Sequence, residues 1–383
     1  MALMNKRIIA KLTDFRHQVH QYPEISGKEK NTSQLIIGYL KDIGIKNIFT
    51  SVGGYGVIAT ITGNKPGKTI LFRSELDALP LQETGNLNYI SKNPAAAHLC
   101  GHDGHMAILL GLAETIISDP QKFAGKIVLL FQPAEETAEG AKKVSEDPRI
   151  IELRIDHAVA LHNIPGYEKG SILLRKGIFA SASQGMIIKL KGETSHAGEP
   201  FNGKPPTLAM TRIIEDILSL PNQYLPYSNS ALATVVYARL GNVAFGTSPG
   251  YAEVMATLRT ASDEDMKILT MKAEKLVAGQ AKLYDLTAEI SYTEIFPVTD
   301  NDSTLIDYIE RSARKAGKKI IWLNKPFPWS EDFGHFTNNF SAVLFGLGSG
   351  LKQPNLHNPN YNFPDEIIAD GINILNDIRK EIL

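Results

Sequence analysis

Cysteine is almost absent from this sequence. Cys100 is the only cysteine among 383 residues, so no disulfide can form within the chain, and a lone thiol suits a reducing compartment such as the cytoplasm. Apolar runs of the roughly 20 residues that span a bilayer are also missing. The opening segment, MALMNKRIIAKL, is interrupted by Lys6, Arg7 and Lys11 and lacks the apolar stretch of a secretory signal. We therefore expect a cytoplasmic protein with no membrane segment.

An excess of charge of one sign is missing as well. Lys and Arg number 40 and Asp and Glu number 41, which gives a formal net charge of -1. No overall field therefore attracts nucleic acid or an anionic membrane, and we expect neither as a partner. With 43% hydrophobic and 21% charged residues, the composition is that of a globular protein. At about 150 residues per domain, the length predicts two domains.

Helical and extended segments alternate in the first part of the chain. Helices are predicted near 6–20 and 28–41, and strands at 57–62, 69–74, 126–131 and 157–161. This alternation is typical of an α/β domain with a mostly parallel sheet covered by helices. In such sheets ligands bind beyond the carboxyl ends of the strands, where several of these segments run into ionisable residues.

From about Gln184 the order becomes strand, helix, strand, strand, helix, strand. This βαββαβ order is typical of a split, ferredoxin-like unit. After Pro297 the earlier alternation resumes. We therefore predict a discontinuous catalytic domain, 1–180 with 295–383, and an inserted ferredoxin-like domain over 181–294.

The densest group of reactive side chains is His98-Leu-Cys-Gly-His-Asp-Gly-His105. Neutral imidazole and thiolate are ligands that zinc and similar metals prefer, and Gly101 lets Cys100 and His102 turn toward one point. Asp103 could orient one of these ligands. The alternative is a buried thiol beside histidines that form ordinary hydrogen bonds. The density of ligand types favours a metal-binding loop.

Two adjacent carboxylates follow the predicted strand KIVLLF. Metal-dependent hydrolysis needs one carboxylate that binds a metal and another that takes the proton of the attacking water. Glu135 and Glu136 can divide these roles. The alternative is the first turn of a helix, where the dipole favours negative charge.

Three further histidines lie at suggestive positions. His162 ends the strand AVALH, His357 lies in a loop rich in Pro and Asn, and His196 follows the first strand of the inserted unit. Taken singly, such residues are more often structural histidines. The strand end and the loop favour ligand roles for His162 and His357, while for His196 an exposed turn residue remains equally good.

In this order, the motifs resemble those of the metal-dependent amidohydrolases that include N-acyl-amino-acid deacylases, hippurate hydrolase and auxin-conjugate hydrolases. The resemblance covers nearly the whole chain. Its blocks are Arg16–Glu24, Arg73–Pro80, Cys100–His105, Gln132–Glu136, Ser330–Phe333 and Leu356–His357.

The resemblance implies a site for two divalent ions, which could be zinc, manganese, cobalt or nickel. Its ligands would be Cys100, His102, Glu136, His162 and His357, with the Cys100 sulfur bridging the ions. Glu135 would act as general acid and base, and His196 would help to hold the substrate carbonyl. Asp103 and Asp77 would support the ligands. A small N-acyl amino acid would be cleaved to a carboxylate and a free amino acid, and the inserted domain would form a homodimer.

Some positions depart from the family pattern. Arg-Ala-Asp-Met-Asp is here Arg73-Ser-Glu-Leu-Asp77, and Gly-His-Ala-Ala is here Ser195-His-Ala-Gly198. Gly246 stands where the family has an asparagine, which bears on how a substrate carboxylate is held. Arg259 could hold it through a bidentate pair. Two other readings stay open: an aminopeptidase or dipeptidase of the same chemistry, and a metal-binding scaffold without activity.

Overall fold

The computed structural model describes residues 6–119 and 123–383. Residues 1–5, on which part of the secretory-signal prediction falls, lie outside this description. The chain divides into two compact units. The larger contains the residues up to Phe179, Thr299–Lys325 and Asp332–Leu383, and the smaller contains Ala180–Val298 and Pro326–Glu331. The last segment falls in the predicted catalytic domain by sequence order but clusters with the smaller unit.

The helices are α1 (Lys6–Gln21), α2 (Lys30–Asp42), α3 (His102–Ser118), α4 (Gly140–Ser145), α5 (Pro148–Leu153), α6 (Thr207–Tyr224), α7 (Asp263–Leu283), α8 (Ser303–Lys315), α9 (Gly334–Asn339) and α10 (Ile368–Ile382). The strands are β1 (Ile48–Val52), β2 (Gly56–Thr62), β3 (Lys65–Glu75), β4 (Ala124–Gln132), β5 (His157–Pro165), β6 (Ile172–Leu174), β7 (Gly177–Ala180), β8 (Ala182–Lys191), β9 (Ser195–His196), β10 (Ala231–Leu240), β11 (Thr247–Ser248), β12 (Tyr251–Thr260), β13 (Thr287–Phe296), β14 (Thr299–Asn301), β15 (Ile320–Trp322) and β16 (Ser341–Gly350).

The larger unit is built on an eight-stranded sheet in the order β1-β2-β4-β3-β5-β16-β6-β15. The pairs of β3 with β4, β3 with β5, β5 with β16 and β6 with β15 are parallel. The predicted mixed α/β fold with a mainly parallel central sheet is therefore confirmed. Strands β4, β5 and β16 are buried along most of their length, as expected where helices cover both faces.

The carboxyl ends of parallel neighbours bring distant chain segments to one edge of this sheet. Asp77 follows β3, Glu135 and Glu136 follow β4, His162 lies near the end of β5, and His357 lies in the loop after β16. Helix α3, which starts at His102, is buried on almost every side and packs between α1 and α10. The sheet and α3 thus position the predicted ligands.

The smaller unit contains a four-stranded sheet in the order β10-β12-β8-β13, in which every pair is antiparallel. Buried and half-buried residues alternate along β12, which packs against α6 and α7. The Ser262 hydroxyl caps α7 by accepting a hydrogen bond from the Asp265 amide at 3.1 Å. Among the described helices of both units, none combines the length and apolar character needed to cross a bilayer.

Candidate metal centre

A sharp turn at Gly101 separates two predicted ligands. Gly101 has a φ of +92°, a left-handed conformation that glycine adopts most readily. A Cβ at this position would lie 2.4 Å from Asn163 Oδ1. The turn into α3, which presents both Cys100 and His102 to the same region, therefore requires glycine.

Cys100, His102 and His162 form one group of possible ligands. One ligand atom from each lies within 4.8 Å of the others, and Cys100 Sγ is 3.6 Å from His162 Nε2. His102 Nδ1 donates a hydrogen bond to the Asp77 carbonyl at 2.9 Å, and His162 Nδ1 donates to the Asn163 carbonyl at 2.9 Å. These bonds select the tautomers that leave each Nε2 as a metal ligand.

Cys100, Glu136 and His357 form a second group, again with ligand atoms within 4.8 Å of one another. His357 Nε2 lies 3.7 Å from Glu136 Oε2. His357 has a positive φ of 65°, and its amide donates to the Leu99 carbonyl at 2.9 Å. This bond holds the His357 loop beside the segment that carries Cys100, so that the thiol belongs to both groups.

The spacing between these atoms fits metal coordination. His102 Nε2 is buried, accepts no hydrogen bond from any described residue, and lies 3.9 Å from carboxylate oxygens of Glu135 and Glu136. Ligand atoms bound at about 2.0–2.3 Å around one tetrahedral ion lie about 3.5 Å apart. An ion between these side chains would give His102 Nε2 a partner that residues 6–119 and 123–383 do not supply.

The charges around the two groups favour a cation. Burial lowers the pKa of His102, but the nearby Asp77, Glu75 and Glu136 carboxylates outweigh it and raise this pKa to about 10. The same negative potential attracts a divalent ion. Burial, followed by the neighbouring His105, lowers the pKa of His162 well below its usual range. His162 is therefore neutral, the form that binds metals.

Glu135 lies beside the first group. It is buried, and its Oε1 accepts a hydrogen bond from the Asp332 amide at 3.3 Å. The Glu136 amide donates to Asp77 Oδ2 at 3.0 Å. Burial alone would raise the pKa of Asp77, but the interaction with His102 lowers it. Asp77 thus supports a ligand histidine and the Glu136 backbone together.

The carboxylate of Asp103 has different neighbours. Its Oδ2 accepts hydrogen bonds from Arg16 Nη1 and His20 Nδ1, both at 2.8 Å. Burial would raise the pKa of Asp103, but Arg16 and His20 hold it well below its usual range. Asp103 anchors the first turn of α3 to α1, and neither Arg16 nor His20 is a predicted metal ligand.

A buried ionic network lies near the ligand groups. Its members fall within the family-like sequence blocks, but the sequence-based prediction gave none of them an individual function. Arg73 pairs with Glu75 and, at 2.8 Å, with Asp332. His105 Nδ1 donates to Glu75 Oε2 at 2.7 Å. Gln132 Nε2 donates to Asp332 Oδ2 at 2.7 Å. For Arg73 and Glu75, the available signal was the presence of two ionisable residues at the end of the apolar strand β3. Their partners His105 and Asp332 are distant in sequence.

The predicted substrate-binding residues lie in the smaller unit. His196 is exposed, pairs with Thr247 across β9 and β11, and accepts a hydrogen bond from the Gly198 amide on Nδ1 at 3.1 Å. Arg259 donates to Ser330 Oγ at 3.1 Å, and burial lowers its pKa. A Cβ at Gly246 would meet no atom within 4 Å.

Comparisons with known proteins agree with this geometry. The sequence model of peptidase family M20/M25/M40 matches residues 71–381. The hippurate hydrolase of Campylobacter jejuni subsp. jejuni serotype O:2 is 32% identical over 356 residues, which cover 92% of each chain. The N-acetyldiaminopimelate deacetylase of Listeria monocytogenes serotype 4a is 28% identical over 370 residues, covering 94% of this chain and 96% of that one. A solved structure, described as a dinuclear metal binding peptidase from the M20 family of Bacillus subtilis, matches with a TM-score of 0.83 and 26% identity over 98% of both chains.

Proposed function

Since this chain belongs to peptidase family M20/M25/M40 and is a hydrolase of linear amide bonds, we propose that its substrates are N-acyl amino acids. The family resemblance indicated by the sequence motifs is confirmed by these matches. The names of two similar proteins, hippurate hydrolase and N-acetyldiaminopimelate deacetylase, support this substrate class. The products are a carboxylic acid and a free amino acid.

The observation that carries the proposal is that Cys100 belongs to both groups of possible ligands. Two divalent ions would be held here, one by His102 and His162 and the other by Glu136 and His357, and Cys100 would be a donor in both groups. This mixture of sulfur, nitrogen and oxygen donors accepts zinc, manganese, cobalt or nickel. When bound, such ions lower the pKa of a coordinated water and polarise the acyl carbonyl.

Glu135 is the general base and acid of the proposed reaction. The Asp332 amide orients its carboxylate through Oε1, and Oε2 lies 3.9 Å from His102 Nε2, beside the first ligand group. From this position Glu135 takes the proton of the attacking water and returns it to the departing amine. Asp77 holds His102 and the Glu136 amide in place.

The roles of His196 and Arg259 in substrate binding remain part of the proposal on the basis of the family resemblance. We also propose that residues 181–294 form an inserted ferredoxin-like domain and that 1–180 with 295–383 form the catalytic domain. The antiparallel sheet in the order β10-β12-β8-β13, which packs against the helices α6 and α7, supports the ferredoxin-like assignment of residues 181–294.

A homodimer and a cytoplasmic location complete the proposal. Strand β10 lies at an edge of the smaller unit's sheet and exposes Leu232, Val236 and Tyr237, a surface that favours association. Analytical ultracentrifugation should give twice the mass of the chain, and a monomer at micromolar concentration would exclude the dimer. Cys100 is the single cysteine of the sequence, so the chain can form no internal disulfide, which supports a reducing compartment.

The substrate class is tested on protein that is stripped of metal and reconstituted with zinc, manganese, cobalt or nickel. N-acetyl and N-benzoyl amino acids are compared with free dipeptides of matching side chains. We expect metal-dependent turnover of the N-acyl compounds. Faster cleavage of the dipeptides would favour an aminopeptidase or dipeptidase. If the metal-loaded protein cleaved none of these compounds, a metal-binding scaffold without activity would be favoured.

A further inference from the structure

Glu29 is a fully buried carboxylate that no sequence motif singled out. It is the residue before α2, a position from which an acidic side chain commonly caps the helix, yet it makes no capping bond. That role belongs to Glu24, whose Oε2 accepts a hydrogen bond from the Thr32 amide at 2.8 Å. The Glu29 side chain is thereby available for a different contact.

That contact is with the loop that carries the two adjacent glutamates. Glu29 Oε1 accepts hydrogen bonds from the Ala134 amide and the Gly27 amide, both at 2.8 Å. Ala134 is 105 residues away in the chain and precedes Glu135 directly. It has a φ of +51°, a left-handed conformation that costs alanine free energy and persists only where surrounding contacts hold it.

The backbone around Glu135 is therefore held by one carboxylate on each side. Glu29 binds the amide of Ala134, and Asp77 binds the amide of Glu136. Glu29, Ala134 and Thr137 are among the residues that line a cavity of about 330 Å³. Without the hydrogen bond to Glu29, Ala134 could relax from its strained left-handed conformation, and the adjoining cavity would give the loop space to move.

We propose that Glu29 is a positioning residue that fixes the direction of the Glu135 side chain through the Ala134 amide. The inference rests on the proposed role of Glu135 in catalysis. Glu29 itself does not exchange protons with substrate in this scheme. Its second oxygen, Oε2, is buried and has no hydrogen-bond partner among the described residues, so the contact uses Glu29 as an acceptor through Oε1 alone.

This geometry predicts opposite results for two substitutions of nearly equal size. Glu29→Gln keeps an acceptor oxygen at Oε1, and we expect it to retain most activity. Glu29→Met keeps the volume but removes the acceptor, and we expect kcat to fall about 10- to 100-fold, with little change in KM, because misplacement of a catalytic group by about 1 Å has effects of this size. Burial raises the pKa of Glu29 to about 6, and a protonated carboxyl would still accept through Oε1.

The experiment measures kcat and KM on the holoenzyme, its metal content, and amide hydrogen exchange of the peptide that contains Ala134. The hydrogen-exchange measurement does not depend on turnover. It therefore tests the hydrogen bond between Glu29 and the Ala134 amide even if the proposed substrates are wrong. In the Met variant we expect faster exchange at Ala134 with unchanged metal content, and in the Gln variant slow exchange as in the wild type. If the Met variant does not fold, Glu29→Asp, which withdraws the acceptor by one methylene, replaces it.

Glu24→Gln is the matched control, because Glu24 also bonds to α2 but not to the Ala134 loop. We expect it to leave exchange at Ala134 and kcat unchanged. The proposal is overturned if the Met variant keeps wild-type kcat and exchange. It is equally overturned if the Gln variant is as impaired as the Met variant, since that result would make Glu29 a proton-transferring group.

Discussion

Glu135 and Glu136 are adjacent in the chain but have different surroundings. Glu136 Oε2 lies 3.7 Å from His357 Nε2. Glu135 Oε1 instead accepts a hydrogen bond from the Asp332 amide at 3.3 Å. The left-handed conformations of Ala134 and Ala138, with φ of 51° and 60°, make the loop irregular rather than helical. Two like residues can therefore take different roles, one as a ligand and the other as a proton carrier.

Glu135→Gln should retain the metal ions and lower kcat about 10²- to 10⁴-fold, because the amide preserves shape but cannot accept the proton of water. Steady-state kinetics and elemental analysis measure the two quantities. Glu139→Gln is the control, since Glu139 lies in the same loop but is exposed. Turnover near the wild-type rate in Glu135→Gln would remove Glu135 from its proposed role.

Cys100→Ser should lower metal content, because a soft anionic ligand is exchanged for a weak neutral one. The substitution affects both ligand groups, since Cys100 belongs to each. We therefore expect fewer than two ions per chain after dialysis, measured by elemental analysis. An unchanged stoichiometry would show that the thiol is not a ligand.

Among the elements, the start of α3 places a strict requirement on one residue type. The helix is mostly apolar and almost wholly buried, so packing fixes its position. Gly101 precedes it in a left-handed conformation. Gly44, after α2, has almost the same backbone angle, with φ of +91° against +92°, but a Cβ there would meet no atom within 4 Å. The two glycines differ in their surroundings and not in φ.

Gly101→Ala should destabilise the protein by about 3 kcal/mol or more, since a left-handed alanine costs about 1–2 kcal/mol and the clash with Asn163 adds to it. Gly44→Ala should cost only the conformational part. Urea unfolding of both variants without metal gives the difference. Equal losses of stability would show that the contact with Asn163 is relieved by a small movement.

In the larger unit, a buried polar cluster joins parts of the chain that are far apart in sequence. His20 on α1 contacts Asp103 on α3 at 2.8 Å and Glu83 at 3.1 Å. Arg16 contacts Asp103 at 2.8 Å and Asp365 at 2.5 Å. Burial lowers the pKa of His20, but its bonds to Asp103 and Glu83 outweigh burial and raise this pKa to about 9.

Stability should therefore depend on the protonation of His20. Because its folded pKa of about 9 exceeds the unfolded value of about 6.5, the stabilisation is complete below pH 6.5 and is lost as the pH rises through 9. The loss should be on the order of 1–3 kcal/mol. It is measured by urea unfolding of metal-free wild type and His20→Gln at pH 6, 7.5 and 9.5. The assignment would be contradicted if the difference in free energy of unfolding between wild type and His20→Gln did not decrease as the pH rises.

Local patterns were sufficient for most elements of the fold. The strands predicted at 57–62 and 69–74 lie within β2 and β3, and β4 and β5 extend the predicted strands by a few residues. The short elements β1, α4, α5 and α9 escaped prediction, because segments of five or six residues carry too little periodicity. The family match followed from ordered motifs, which are also local.

The sequence by itself determined the family, the α/β class of the larger unit and the chemical types of the candidate ligands, since all of these follow from short patterns and their order along the chain. Only the tertiary structure decided which atoms meet. It paired Asp103 with Arg16 and His20, gave Asp77 the contact with His102, and brought Glu29 to the Ala134 amide. These contacts join residues from 25 to 105 positions apart, and no local periodicity specifies a hydrogen bond across that distance.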